Sequence, residues 1–88
     1  MPALPPAAME KARSRAKRLG VEVRRSANKA KKLDVYRRGE KVASIGDVRY
    51  SDYLQHGDSD RRRRYKQRHE KHRHNVGTAS YYADKLLW

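Results

Sequence analysis

The residues of this 88-residue chain that are best suited to bind a ligand form one basic run, positions 61–73. Eight of its thirteen residues are Lys or Arg, and Glu70 is its single acid. Like charges three or four residues apart repel one another on a helix, so an anionic partner is favoured. Nucleic acid is such a partner, because each neutralised phosphate releases condensed counterions. The run therefore predicts a phosphate-binding helix, with a solvated helix face as the alternative.

Histidines within this run raise the question of a metal site. The pattern H-E-x-H-x-H covers positions 69–74, and two of its histidines have the three-residue spacing of zinc ligands on a helix. The chain has no Cys, and His56 is its one other histidine. Nearby acids are typical of turns and helix starts: Asp52, Asp58 and Asp60. We therefore expect no metal, no cofactor and no catalytic site, and the chain is predicted not to be an enzyme.

Tyrosine is the main aromatic residue, with six Tyr, one Trp and no Phe. Five tyrosines are candidates either for stacking on bases or for the core: Tyr50, Tyr53, Tyr65, Tyr81 and Tyr82. Apolar residues make up 36% of the chain, below the roughly 45–50% of a typical globular domain. Because few other large side chains are available to fill a core, the core role is favoured.

The whole chain is strongly basic, with 23 Lys and Arg against 10 Asp and Glu, and a net charge of +13. The expected partner is nucleic acid, with DNA favoured over RNA, and an acidic protein surface is the alternative. The candidate nucleic-acid-binding residues lie in the N-terminal third and in the basic run: Lys11, Arg13, Arg15, Lys17, Arg18, Arg24, Arg25, Lys29, Lys31, Lys32, Arg61, Arg62, Arg63, Arg64, Lys66, Arg68, Lys71 and Arg73.

Residues 1–32 are predicted to form a basic arm with a Pro/Ala-rich start, partly disordered or helical. The helical spacing of Ala12, Ala16 and Leu19 predicts a short amphipathic helix that Gly20 would end. Residues 33–88 are predicted to form a small compact domain.

Two further features of the sequence bear on location. Lys17 and Arg18, followed by the cluster at 29–32, have the spacing of a bipartite nuclear localisation signal. No stretch approaches the about 20 apolar residues of a transmembrane helix, so no membrane span is expected.

A β-hairpin is predicted between strands near 33–36 and 42–45, because Arg38 and Gly39 occupy a turn position. A two-residue loop would place Val35 opposite Val42. A three-residue loop would instead place Leu33 opposite Ile45, and the sequence leaves both registers open.

Two helices are predicted to follow the hairpin. The first runs from about residue 60 to 74, with Asp58 or Ser59 as its N-cap. After the break at Gly77, Thr78 caps a second helix over 79–88. One face of that helix has helical spacing: Ala79, Tyr82, Ala83 and Leu86. Its apolar residues are predicted to pack on the hairpin: Tyr82, Leu86, Leu87 and Trp88 on Val35, Val42 and Ile45. The predicted fold is α+β, a β-hairpin packed on two C-terminal helices with a basic N-terminal arm.

From residue 32 onward, several segments occur in an order that resembles a known family: KKLDVYRRGEKVASIG, RYSDY, RRRRYKQRHEKHRHN and GTASYYADKLLW. Its members are small, functionally uncharacterised basic proteins of large nucleocytoplasmic DNA viruses and some phages. The resemblance implies a viral origin and virion association, and it supplies no activity. The residues that match the family pattern are expected at core or core-edge positions: Tyr65, Arg68, His69, Tyr82 and Trp88.

The predicted function is non-sequence-specific DNA binding by a structural protein, virion-associated, in genome packaging or in the capsid interior. Binding of the basic segments to acidic coat-protein surfaces, as in a minor capsid or cement protein, is one alternative. A ribosomal-type RNA-binding protein is another. The expected location is the virion and the host nucleus, and the oligomeric state is left open.

Overall fold

The turn of the hairpin is built from two residues with positive φ, Arg38 at 54° and Gly39 at 82°. Backbone of this handedness matches the twist of the strands that it joins, and glycine adopts it without steric cost. In the computed structural model, which describes residues 4–88, this turn joins β2 (Lys31–Arg37) to β3 (Glu40–Asp47).

A β-bulge sets the register of the hairpin. Arg37 pairs with Glu40, as the two-residue turn requires, but the pairing shifts beyond Tyr36 and skips Val42. Leu33 then lies opposite Ile45. The bulge thus combines the short turn of one predicted register with the strand pairing of the other. It also explains why Val42 is 40% exposed, so its predicted packing on the last helix is wrong.

The N-terminal third of the chain is folded onto the same sheet. Helix α1 (Pro6–Leu19) ends at Gly20, as predicted, and β1 (Glu22–Arg25) pairs antiparallel with β2 to give the strand order β1-β2-β3. The buried face of α1 consists of small residues and one methionine: Ala8, Met9, Ala12 and Ala16. Together with Val21 and Val23 they belong to the main core. The predicted boundary at residue 32 therefore falls inside β2, and not between two structural units; residues 1–3 of the predicted arm lie outside the described residues.

Three helices follow the sheet: α2 (Tyr53–His56), α3 (Ser59–Arg68) and α4 (Ala79–Leu86). The predicted caps are confirmed, since the side chains of Asp58 and Thr78 accept backbone N–H groups at the starts of α3 and α4. Helix α3 ends at Arg68, six residues before its predicted end. Beyond it the chain continues in tight turns, which bring Arg73 back to within 3.5 Å of a carboxylate oxygen of Asp84.

The core lies between the sheet and the helices. Its largest fully buried apolar side chains come from every layer: Leu4, Leu33, Val35, Ile45, Leu86 and Leu87. Helix α4 packs on β3, where a Cβ on Gly46 would lie 2.8 Å from Leu87 Cδ1, so this close approach requires glycine. Tyr82 is buried as predicted, whereas Ala79 is exposed. The predicted α+β class, with the hairpin packed against C-terminal helices, is confirmed.

Candidate nucleic-acid interface

Helix α3, which carries arginines of the basic run, begins after its N-cap, Asp58. The Asp58 carboxylate accepts the backbone N–H groups of Asp60 at 2.9 Å and Arg61 at 3.2 Å. These hydrogen bonds lower the pKa of Asp58, so the cap stays negative at the positive end of the helix dipole.

One side of α3 carries three arginines at spacings of three and four residues: Arg61, Arg64 and Arg68. All three side chains are exposed, and none has a carboxylate within 4.0 Å among residues 4–88. They line a cleft of about 830 Å³, hereafter the open cleft, between α3 and α4 on one side and β3 and the following loop on the other. Neighbouring positive charges without counterions favour an anion at this place.

The opposite wall of the open cleft contains Lys31, Arg49 and Tyr50. Arg49 donates to both carboxylate oxygens of Asp47, at 2.7 Å for the shortest contact, and these hydrogen bonds lower the pKa of Asp47 to about 2. The pair is on the surface, where such ion pairs contribute little to stability. Tyr50 is 64% exposed, and the Arg49 guanidinium lies 5.6 Å from the centroid of its ring.

The floor of the open cleft is a stack of three rings. Tyr65 lies between His69, at 4.1 Å between ring centroids, and Trp88, at 4.2 Å with the planes 4° apart. Tyr65 is 9% exposed, and burial raises its pKa to about 12. Its expected core position is therefore confirmed, while Arg68 of the same expected set is exposed. The stack fixes α3 against the C-terminal residues of the described chain.

Lys32 holds the loop that forms the far wall. Its side chain is 1% exposed, and its ammonium donates to Asp52 Oδ2 at 2.8 Å, to Gln55 Oε1 at 2.7 Å and to the backbone oxygen of Tyr50. All three N–H groups are thus used inside the protein. Lys32 was predicted to contact nucleic acid, and the structure places it inside the protein, with its charge neutralised by Asp52. Of the other two lysines in the cluster 29–32, Lys29 is exposed and Lys31 is half-buried.

The other side of α3 faces a smaller groove of about 280 Å³ between α1, α3 and α4. It is hereafter called the closed groove because its α3 side chains, Arg62 and Lys66, are bound within the protein. At its centre lies Asp84, whose side chain has no exposed surface. Its carboxylate accepts from Lys66 at 3.0 Å and Arg73 at 3.5 Å, and Lys85 Nζ lies 3.7 Å away. Lys66 and Arg73, both predicted to contact phosphates, therefore serve to neutralise a buried acid.

Arg62 and Arg15 also border the closed groove. Arg62 donates to the backbone oxygen of Trp88 at 2.7 Å, and its guanidinium lies 4.7 Å from the centroid of the Tyr53 ring. Burial and the positive charge of Arg62 lower the pKa of Arg15. Arg62 was predicted to contact nucleic acid, and the structure instead uses it to hold α2, α3 and Trp88 together.

The remaining predicted binding residues lie elsewhere on the surface. On the outer face of α1, four exposed side chains have no ion pair among the described residues: Lys11, Arg13, Lys17 and Arg18. Arg24 lies over the Tyr36 ring, 4.4 Å from its centroid, and Arg25 donates to the backbone oxygen of Leu4. Arg63 pairs with Asp60 at 3.4 Å. Two more are exposed in turns: Lys29 and Lys71.

Sequence reasoning missed Arg49 and Lys85. It named Tyr50 as a candidate for base stacking or for the core and favoured the core, which is wrong because Tyr50 is 64% exposed. Arg49 and Tyr50 were assigned to a connecting element of undetermined type, although an adjacent Arg and Tyr in a polar loop is itself a pattern of nucleic-acid-binding surfaces. Their position depends on the buried Lys32, which local sequence does not reveal.

Two of the three histidines in the H-E-x-H-x-H pattern have hydrogen-bond partners within the protein. His74 Nε2 lies 3.0 Å from Glu70 Oε2, and His69 Nδ1 lies 3.0 Å from the backbone oxygen of Tyr65. Hydrogen bonds from Arg73 and His74 lower the pKa of Glu70. Across residues 4–88, no three His, Asp or Glu side chains are grouped as metal ligands. In the same residues, no helix is long and apolar enough to cross a membrane.

The sheet, its covering helices and the arginine-lined cleft define a small basic α+β protein. Residues 21–69, more than half of the chain, match the model of a family of unknown function (DUF5754), and the chain belongs to that family. The match includes the three strands, α2 and α3, and hence both arginine-bearing walls of the open cleft. No curated protein and no solved structure matches the chain.

Proposed function

We propose that this protein binds nucleic acid, DNA in preference to RNA, through phosphate contacts and without sequence preference, and that it is structural and not catalytic. The observation that carries the proposal is the row of Arg61, Arg64 and Arg68. These three cations are exposed along an open cleft and have no carboxylate partner within residues 4–88, whereas Arg62 and Lys66 of the same helix are bound to Trp88 and Asp84.

The distribution of charge over the rest of the surface supports a polyanion as the partner. Among residues 4–88, seven of the 23 Lys and Arg have a carboxylate within 4.0 Å. A chain of phosphates neutralises many such cations at once and releases its counterions, whereas one small anion cannot. The exposed face of α1 extends the binding surface beyond the cleft.

The lack of sequence preference follows from the kind of contact. The free side chains are arginines and lysines spread over two helices and a loop, which suits phosphate oxygens distributed along a backbone. The resemblance to basic viral proteins extends the proposal to genome packaging or the capsid interior of a virion, with the host nucleus as a further location. This extension rests on the resemblance alone.

A salt titration of filter binding to a 20-base-pair duplex, to single-stranded DNA and to RNA tests the proposal. The triple variant Arg61→Ala, Arg64→Ala, Arg68→Ala should reduce the slope of log K against log salt by about 2 to 3, because each phosphate contact contributes about 0.9 with duplex DNA. The matched control removes three charges at the tip of the hairpin: Arg37→Ala, Arg38→Gly and Lys41→Ala.

The control variant should reduce the slope of log K against log salt less than the triple variant in α3 does. Absence of binding at low salt, or an unchanged slope in the α3 variant, would show the proposal to be wrong. Poly-glutamate serves as a competitor that carries negative charge but no phosphates. We expect excess unlabelled nucleic acid to displace the bound DNA fully and excess poly-glutamate to leave the DNA bound. Displacement by poly-glutamate at equal charge would instead indicate an acidic protein partner.

A further inference from the structure

The open cleft is too small to enclose a duplex, which reaches its exposed arginines only from outside, and the interior of the cleft suits a flexible strand. Its volume of about 830 Å³ lies within the range of roughly 300–1,000 Å³ for pockets that enclose drug-sized ligands. A duplex is recognised from outside, by elements that enter its grooves. Here the protein itself forms the concave surface, between α3 and the loop after β3. A short piece of single strand can enter such a space.

Among the rings that line the open cleft, Tyr50 has the most accessible surface. Both faces of Tyr65 are covered, by His69 and by Trp88. Trp88 lies against Tyr65, and His56 lies 5.3 Å from it between centroids. Tyr50 is 64% exposed, with one cation at 5.6 Å. A large exposed ring next to arginines is the usual platform on which single-strand binders stack a base.

The backbone at Tyr50 is held while its side chain is free. Its backbone N–H donates to the backbone oxygen of Asp47 at 3.1 Å, and its backbone oxygen accepts from the buried Lys32. A ring on a fixed backbone loses less freedom on binding than a ring on a mobile loop, which favours affinity. The position of Tyr50 at the cleft is therefore built into the fold.

The two walls divide the recognition of a nucleotide between them. Helix α3 contributes the arginines, which suit phosphates, and the loop contributes the aromatic ring, which suits a base. We propose that the open cleft binds a single-stranded segment of nucleic acid, with phosphates on Arg61, Arg64 and Arg68 and a base stacked on Tyr50. This inference rests on the proposed function and specifies the form of nucleic acid that the cleft takes.

The test compares three labelled ligands by fluorescence anisotropy at low salt: a ten-nucleotide oligo-dT, an abasic strand with the same number of phosphates, and a ten-base-pair hairpin duplex. Tyr50→Ala should weaken oligo-dT binding by about tenfold and leave the affinity for the abasic strand and the duplex unchanged, since no charge is lost. Tyr50→Phe should retain the wild-type affinity, because the ring remains.

Tyr36→Ala is the matched control, since Tyr36 lies on the sheet under Arg24 and outside the cleft. It should bind all three ligands as the wild type does. The single Trp88 gives a second readout, because it lines the cleft and its fluorescence should change with oligo-dT. Equal affinities of wild type and Tyr50→Ala for oligo-dT would overturn the inference while the proposed function stands. Failure of all three ligands to bind wild type would overturn both.

Discussion

The two sides of α3 use the same residue types for opposite purposes. On the side of the open cleft, Arg61, Arg64 and Arg68 are exposed and have no carboxylate partner in the described chain. On the side of the closed groove, Lys66 pairs with the buried Asp84, and Arg62 is bound to Trp88 and Tyr53. The buried acid Asp84 and the aromatic ring of Tyr53 bind the cations on the closed-groove side, whereas the cations on the open-cleft side remain available to a ligand.

The comparison teaches that a count of basic residues overstates a binding site. A buried carboxylate must be neutralised, so the nearest cations are committed to the fold. A cation at the rim of a cleft with no acid nearby is instead available to an external anion. Three pairs of variants test this division, from the largest expected effect to the smallest.

The largest expected effect is that of Asp84→Asn on stability. The change leaves Lys66 without its counterion and removes one of the two carboxylate partners of Arg73, and it should lower the free energy of unfolding by about 3 kcal/mol in urea denaturation. Asp60→Asn is the control, because the Asp60–Arg63 pair is exposed and should contribute less than about 1 kcal/mol. Equal losses in both variants would contradict a structural role for the closed groove.

Adjacent arginines on α3 provide the second test. Arg62→Ala should cost about 1–2 kcal/mol of stability, because it removes a hydrogen bond to Trp88 and the contact with Tyr53. Arg61→Ala should change stability by less than about 0.5 kcal/mol and should lower the salt slope of duplex binding by about 0.9. Denaturation and salt titration of the two variants measure both quantities. A loss of stability in Arg61→Ala together with a lower salt slope in Arg62→Ala would show that the roles assigned to the two sides of α3 are wrong.

The smallest expected effect concerns His56, which lies beside Trp88 between the two regions. Burial, with a further contribution from Arg61, lowers the pKa of His56, whereas Asp58 and Asp52 act in the opposite direction. Its Nδ1 accepts the Asp58 N–H, and its buried Nε2 has no hydrogen-bond partner among the described residues. Protonation therefore favours the unfolded chain.

The sign of the pH effect follows from linkage. The contribution of His56 to stability is complete above the ordinary histidine pKa of about 6.5 and is lost as the pH falls through the lower pKa of the folded state. Urea midpoints at pH 7.5 and pH 5.5 should therefore differ less in His56→Asn than in the wild type. His72→Asn, a change in an exposed turn, should keep the wild-type difference. An identical difference in all three proteins would exclude His56 as the cause.

Local sequence signals predicted much of the fold. The turn at Arg38 and Gly39, the caps Asp58 and Thr78, and the end of α1 at Gly20 depend on backbone preferences of neighbouring residues, which a sequence displays directly. The β-bulge was not predicted, because it reconciles the turn with side-chain packing from other layers.

The candidate binding site was predicted less well, because charge neutralisation depends on residues that are far apart in the sequence. Lys31 and Lys32 are neighbours in sequence, yet one lines the open cleft and the other is buried against Asp52, twenty residues away. Likewise Asp84, which neutralises Lys66, lies eighteen residues beyond it. No local pattern distinguishes these cations from the free ones. The dense run at 61–73 did correctly indicate where the exposed arginines of α3 lie.

The packing of α1 against α4 has a consequence for the synthesis of the protein. The first helix and the three strands emerge from the ribosome before the residues that complete their core, Tyr82, Leu86 and Leu87. Part of the apolar face of the sheet therefore lacks its cover until these residues have been translated, and a truncation that removes α1 or α4 removes part of the core. Expression of shortened forms should give aggregation-prone chains and not smaller folded domains.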